Sequence, residues 1–272
     1  MYVITGATGN VGAEVVRLLA AAEEQVTAVS RNPAPQPAGV RHVAADLGDP
    51  ASLEAAFAGA STLFLLVAGQ EPEAVLKTAQ SAGIRRVVLL SSQGAGTRPG
   101  LYAHPAAFEA AVRASGLEWT ILRPGGFFTN TLAWAGSVRA GRTAAAPFAD
   151  TALPFIDPAD IAEVAATVLR QDGHAGRTYV LTGPEPITPR ERAAALGRAL
   201  GAEVRFIEQT RDEAHAEMTR FMPLEAVEAT LSVLGTPTAA EQQVSPDVAA
   251  ILGRAPGTFA DWAARYAAAF RP

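Results

Sequence analysis

The chain alternates short, unbroken apolar runs with longer stretches in which apolar residues recur at helical spacing. The runs cover residues 2–5, 25–30, 41–44, 62–68, 86–91 and 118–122. Between most of them lie amphipathic stretches, including 13–22, 50–57, 71–82 and 105–114. A strand buried on both faces reads as a continuous apolar run, and helices between such strands make the connections crossovers in a parallel sheet. Gly59, Gly83 and Gly116 stand where helices should end, since a C-terminal glycine adopts the left-handed conformation freely. The pattern therefore predicts an α/β fold, a doubly wound parallel sheet of Rossmann type.

Beyond Leu122 the rhythm loosens. Pro147, Pro154 and Pro158 interrupt a loop-rich region, a helix over 160–170 follows, and 178–181 reads as another strand. Asp157 and Asp160, ahead of that helix, read as N-terminal capping residues. Residues 188–270 are mostly helical, with a strand-like run at 203–207. Residues 1–155 are thus expected to form a dinucleotide-binding domain completed by 156–183. The rest, 184–272, would be a smaller, mostly helical C-terminal lobe holding the substrate. There is no internal repeat.

The first strand runs straight into Thr5-Gly6-Ala7-Thr8-Gly9-Asn10-Val11-Gly12, and a helical run follows. A strand, a glycine turn and a helix N-terminus make an anion site, because the orphan amides and the helix dipole favour negative charge. The spacing is GxxGxxG rather than GxGxxG, so its place at the head of a βαβ unit carries the argument. The expected occupant is the pyrophosphate of a dinucleotide. An NAD-preferring site carries an acid at the end of the second strand, whereas this chain reads Val29-Ser30-Arg31-Asn32. Arg31 offers charge-assisted hydrogen bonds to a 2′-phosphate, so NADPH is expected in preference to NADH.

Composition narrows the field. The net charge of −5 argues against a nucleic-acid surface. The absence of an apolar run of about 18 residues argues against a membrane span, and a first strand beginning at Tyr2 leaves no room for a leader. With no cysteine there is no disulfide, thiol nucleophile or Cys-based zinc site. His42, His104, His174 and His215 are too scattered for a metal motif. A cytoplasmic monomer or homodimer acting on a small apolar or aromatic substrate is the expectation. Of the 22 basic residues only Lys77 is a lysine, which removes mechanisms needing one elsewhere.

TGATGNVG, the Ser-Arg strand end, Asp46-Leu47 after the third strand and Arg123-Pro124-Gly125-Gly126-Phe127 after the sixth resemble the NmrA-like atypical short-chain dehydrogenase/reductases. The similarity runs on to Leu252-Gly253-Arg254 and Thr258-Phe259, and favours the quinone-reductase-like members. It implies that Gly6, Thr8, Gly9, Asn10, Val11 and Gly12 hold the pyrophosphate and Arg31 the 2′-phosphate, with Asp46 and Leu47 near adenine. Val67, Ala68 and Gly69 would pass beneath the ribose and nicotinamide, and Pro124, Gly126 and Phe127 would line the nicotinamide end. Asp46 reads equally well as a loop or capping residue before Pro50.

The Tyr-x-x-x-Lys dyad of typical short-chain dehydrogenases is missing: four residues after Tyr102 stands Ala106. An unassisted tyrosine, with a pKa near 10, is a poor base at neutral pH. The candidate proton donors are His104, Tyr102 and Ser92, with Ser91 beside the cofactor. His104 stands five residues before Glu109, an arrangement resembling the quinone-reductase-like relatives, and its ordinary pKa suits proton transfer. It reads alternatively as decoration of a helix start, and both serines as loop-stabilising hydroxyls. Phe128, Trp134, Phe148 and Phe155, with Phe221 and Met222 from the later lobe, are candidate walls for a flat apolar acceptor. The expected activity is NADPH-dependent hydride transfer to a quinone or enone. A redox-sensing regulator without turnover, or a specialised biosynthetic enzyme, are the alternatives.

Overall fold

The structure is a computed structural model that describes every residue of the chain except Pro33. Seven parallel strands form the main sheet: β1 (Tyr2–Thr5), β2 (Val26–Ser30), β3 (Arg41–Ala44), β4 (Thr62–Leu66), β5 (Arg86–Leu90), β6 (Glu118–Pro124) and, later in the chain, β8 (Arg177–Leu181). Their order is β3-β2-β1-β4-β5-β6-β8. The direction of winding reverses between β1 and β4, and ligands of open α/β sheets bind outside the carboxyl ends of the strands at such a switch point.

Helices cover both faces. Gly12–Ala21 and Pro158–Arg170 pack on one side over Ile4, Ala28, Phe64 and Leu122. Pro72–Ser81 and Ala103–Ala114 cover Val3, Leu63, Val87 and Ile121 on the other. Gly59, Gly83 and Gly116 all have positive φ, at 76°, 91° and 74°. Asp157 caps Pro158–Arg170 by accepting the Ala159 amide at 3.0 Å and is paired with Arg265. Asp160 does more than cap: it pairs with Arg254 at 2.8 Å and accepts the Gly257 amide at 2.8 Å, anchoring the C-terminal segment.

In the main sheet, the ends of β4 and β6 each lie two residues from the ends of the apolar runs. β4 stops at Leu66 rather than at 68, because β1 ends first and the Thr5 hydroxyl takes over its ladder. That hydroxyl donates to the Phe64 carbonyl at 2.9 Å and accepts the Leu66 amide at 2.8 Å. β6 runs on to Pro124, beyond its last β5 partner at Leu122, by pairing with β8 as far as Leu181. The missing Pro124 amide falls where no β5 residue stands opposite, so it breaks no ladder bond. An unexpected strand, β7 (Thr143–Pro147), pairs in parallel with β9 (Arg205–Gln209), two residues later than its predicted position. The alanine run of β7 has little strand propensity, and pairing with β9 imposes the conformation. This small sheet packs with Pro189–Leu200 and Phe259–Tyr266 around Trp262, Phe128 and Leu196. Among the described residues no helix is long and apolar enough to cross a membrane.

Candidate functional site

The glycine loop is closed by packing that excludes side chains. Gly6 has φ 63°, and a Cβ there would meet Leu66 Cδ2 at 2.8 Å. A Cβ on Gly12 would overlap the Gly6 carbonyl oxygen and stand 2.8 Å from its carbon. Gly9 donates its amide to Gly6 O at 2.9 Å, and a Cβ on it would meet only that oxygen, at 3.3 Å, with open space otherwise. Val11 caps the helix Gly12–Ala21 without a side-chain acceptor, and Thr8, Gly9 and Asn10 are exposed. Asn10 donates to Thr129 Oγ1 at 3.2 Å, tying the loop to the segment after β6. The cradle is therefore bare backbone at a helix N-terminus, which fits a diphosphate.

Arg31 lies exposed beyond β2 and, among the described residues, makes no ion pair or side-chain hydrogen bond. Its base is fixed by Ser30, whose hydroxyl contacts the Asn32 carbonyl and His42 Nε2, both at 2.8 Å. Asp46 is exposed and accepts the Gly48 amide at 2.9 Å, a loop role, while Leu47 is buried. Val67 and Ala68 continue from β4 at half-buried positions. Gly69 (φ 78°) lies so close that a Cβ would stand 2.6 Å from the Leu47 carbonyl oxygen.

His104 is exposed, at the start of Ala103–Ala114, and its Nε2 contacts the Gly69 carbonyl at 2.6 Å. A carbonyl only accepts, so Nε2 carries the proton. The ring stands edge-on to Phe108, 5.2 Å between centroids. His104 thus clasps the loop after β4 and is absent from the wall of the neighbouring cavity. Nor does it contact Glu109: that carboxylate is buried and accepts Arg123 (2.8 and 2.6 Å), Arg113 (2.9 Å) and the Ser91 hydroxyl (2.7 Å). Burial pushes its pKa up, but these hydrogen bonds outweigh burial and hold it below the usual carboxylate range. The His104–Glu109 spacing in sequence therefore corresponds to two separate contacts. Arg113, four residues on along the same helix, is a pairing the sequence could have shown, but Arg123 from β6 and Ser91 after β5 carry no such signal.

Beside the carboxyl ends of β5 and β6 opens a cleft of about 690 Å³. Its walls include Ser92, Tyr102, Pro124, Gly126, Asn130 and Phe155, closed by Val233 and Leu234 from the helix Leu224–Gly235. Ser92 caps the short helix Gln93–Thr97, its Oγ accepting the Gly94 amide at 3.2 Å. The Tyr102 ring lies against Gly94, where a Cβ would come within 2.5 Å of it. Burial, and then the negative charge of Glu241, push the Tyr102 pKa up despite Arg98. At neutral pH this group is a phenol that donates. Glu241 is itself buried and escaped the sequence reading; Arg98 and Thr97 bond it, at 2.8 and 2.7 Å. Burial raises its pKa, but those bonds and the Thr238 amide prevail and lower it to about 2.

The aromatic candidates separate. Phe155 lines the cleft, and its ring is why position 126 is glycine: a Cβ there would stand 2.5 Å from it. Trp134 and the exposed Phe221 line a second cavity that shares Asn130 and Phe155 with the first. Phe128 is buried against Phe259 and Trp262, at 5.2 and 6.3 Å, inside the C-terminal core. Phe127 is half-buried and is held through the backbone beside Ile156. Phe148 (φ 55°) packs on Gly235 and lines a separate cleft with Leu101, while Met222 joins the same small apolar cluster as Phe148.

The model of the NAD(P)H-binding family matches residues 6–172. The chain is 37% identical, over its whole length and that of the relative, to a (4-alkanoyl-5-oxo-2,5-dihydrofuran-3-yl)methyl phosphate reductase of Streptomyces griseus subsp. griseus. It is 32% identical to an NAD(P)H azoreductase of Xenophilus azovorans, covering 99% of each chain. Among solved structures it matches an NADPH-dependent quinone oxidoreductase from Escherichia coli complexed with NADPH, at 27% identity. That match has a TM-score of 0.82 and covers 97% of this chain and 99% of the other. With the glycine cradle at the switch point and the cleft beside it, these likenesses establish that the chain belongs to the NAD(P)H-binding family and is an NAD(P)H-dependent oxidoreductase, with a fold shared with NmrA (20% identity, TM-score 0.76).

Proposed function

We propose that this protein uses NADPH to reduce a flat, conjugated, electron-poor acceptor of the quinone or enone type. The observation that carries the reading is the cleft itself: Tyr102, a phenol kept protonated by burial, faces apolar Leu153, Phe155, Val233 and Leu234 beside Pro124 and Gly126. The relatives' named substrates support it: a quinone, an azo compound and an oxo-dihydrofuran bearing an alkanoyl group are all conjugated acceptors. The bound dinucleotide supplies the hydride. This chain's part is to hold the acceptor in the cleft against Phe155, Val233 and Leu234 and to exclude water. As the acceptor gains the hydride, negative charge gathers on its oxygen, and the Tyr102 hydroxyl donates its proton there. A donor suffices for such a reaction, which is why the missing lysine is no obstacle. His104 is a positioning residue, fixing the Gly69 loop on which the nicotinamide ribose would rest. Phe128 and Phe148 are assigned to packing.

The test is turnover of a panel of quinones and enones, followed at the nicotinamide absorbance band. Tight NADPH binding with no turnover on any of them overturns the reading. Tyr102→Phe should lower kcat about a hundredfold, the low end of the range for general acid catalysis. A kcat within threefold of wild type would remove Tyr102 from the chemistry.

Cofactor preference rests on Arg31, the exposed guanidinium at the β2 end with no acid beside it. A hydrogen bond to a charged group contributes about 1.5–3 kcal/mol, so Arg31→Ala should weaken NADPH roughly tenfold or more. NADH affinity should stay the same. Equal wild-type affinities for NADPH and NADH would defeat the assignment.

A further inference from the structure

Arg192, on Pro189–Leu200, is only 6% exposed and has no acidic partner. The other buried charges of the described residues are all carboxylates paired with arginines: Glu109, Asp157, Asp160 and Glu241. A buried charge without a counter-ion is costly, and such groups are normally paired. Arg192 instead rests between two aromatic faces, 4.4 Å above Phe155 and 5.2 Å from Trp134. One hydrogen bond holds it, from Nη1 to Thr131 Oγ1 at 3.3 Å. Nε is buried with no acceptor, and Nη2 has none among the described residues. Burial lowers its pKa to about 10, which leaves the guanidinium charged at neutral pH.

This guanidinium lines the second cavity, of about 630 Å³, with Asn130, Trp134, Ala145, Phe155 and Gln209. Asn130 and Phe155 are also walls of the acceptor cleft, so the two spaces are neighbours with that pair between them. The one acid on the wall, Glu217, is exposed and held by Gln209 Nε2 at 2.9 Å, and it makes no ion pair with Arg192. The two aromatic rings position the cation, and with Nε sealed and Nη1 bonded to Thr131, Nη2 is the nitrogen left to meet a ligand in the cavity. A guanidinium in that state suits an oxyanion, which Nη2 can meet through a charge-assisted hydrogen bond.

We infer that Arg192 binds an anionic substituent, a phosphate, sulfonate or carboxylate, carried by the acceptor and seated in the second cavity. The substrate class is then a conjugated ring with an acidic arm: the ring lies in the cleft against Tyr102 and the arm passes Asn130 to Arg192. This deepens the function proposed above and rests on it for the placement of the ring. The unpaired cation is a standing cost to the free protein that the substrate's charge offsets.

The test compares 1,4-naphthoquinone with 1,4-naphthoquinone-2-sulfonate as acceptors, in wild type, Arg192→Met and Arg192→Lys. Wild type should favour the sulfonate by about tenfold or more in kcat/KM, mainly through KM. Arg192→Met should bring that ratio to near one, and Arg192→Lys should restore part of it. The melting temperature of ligand-free Arg192→Met should equal or exceed that of wild type, because an unpaired buried charge is exchanged for an apolar chain of similar length. Calorimetry with 1-naphthyl phosphate against 1-naphthol repeats the comparison without turnover, so it judges Arg192 even if neither quinone is reduced. A preference that survives in Arg192→Met, or no wild-type preference by either method, overturns the inference. So does a large fall in that variant's melting temperature, which would make Arg192 a structural cation.

Discussion

Replacing Glu109 by alanine should cost about 3–5 kcal/mol of folding stability, the range for breaking a buried ion pair from one side. The carboxylate is 1% exposed and gathers Arg123 from β6, Arg113 from its own helix and the Ser91 hydroxyl at the end of β5. Without it the Arg123 guanidinium is left half-buried and unpaired beside Gly96, where a Cβ would come 2.8 Å from its Cζ. Domains of this kind have about 5–15 kcal/mol in total, so the loss is a large share of the whole. The pH dependence supplies a second readout. Glu109 has a folded pKa below its unfolded one, so its contribution is complete above the ordinary carboxylate pKa. It is lost as pH falls through the depressed native value. Denaturant unfolding should therefore show a gap between wild type and Glu109→Gln that narrows below about pH 4. A Glu109→Ala variant within about 1 kcal/mol of wild type at neutral pH would show that the arginines find other partners.

Gly12→Ala should abolish useful cofactor binding. Its Cβ would overlap the Gly6 carbonyl oxygen and press on the Ala7 amide at 3.2 Å, both rigid backbone, so the turn must open or the helix must withdraw. Either shift moves the amides that make the cradle. A displacement costing about 3 kcal/mol corresponds to roughly a hundredfold loss of NADPH affinity. Gly9→Ala is the milder comparison: its Cβ meets one atom, the Gly6 carbonyl oxygen at 3.3 Å, so its melting temperature should fall less than that of Gly12→Ala. Fluorescence titration with NADPH, alongside thermal melts, reads both. An affinity for Gly12→Ala within threefold of wild type would mean the loop accommodates a side chain there.

The two variants also mark where sequence reading succeeds and stops. The Gly6–Gly12 turn is legible because its spacing is local: a strand, a tight turn and a helix start occupy a dozen consecutive residues. The same holds for the apolar runs that became β1 to β6, and for Gly59, Gly83 and Gly116 with their positive φ. Glu109 was visible only as a neighbour of His104 along the chain. In the fold the helix turns it inward to Arg123 and Ser91, while His104 faces the Gly69 carbonyl. Five residues on a helix are more than one turn, and facing is decided by what packs on each side. β7 escaped for a related reason, since its alanines become a strand only because β9 lies alongside.

The sequence by itself determined the sheet, the glycine turn at the head of the first helix and the absence of a Tyr-Lys dyad, because each depends on residue type, local spacing or a simple count. Only the tertiary structure decided which side chains share a cavity. Tyr102 reaches the cleft and His104 does not; Phe155 lines it while Phe128 is sealed in the core. Arg192, an ordinary helix arginine on paper, is buried between Trp134 and Phe155 from elements 58 and 37 residues earlier. Long-range packing sets desolvation, and desolvation turns a surface charge into a buried cation without a partner.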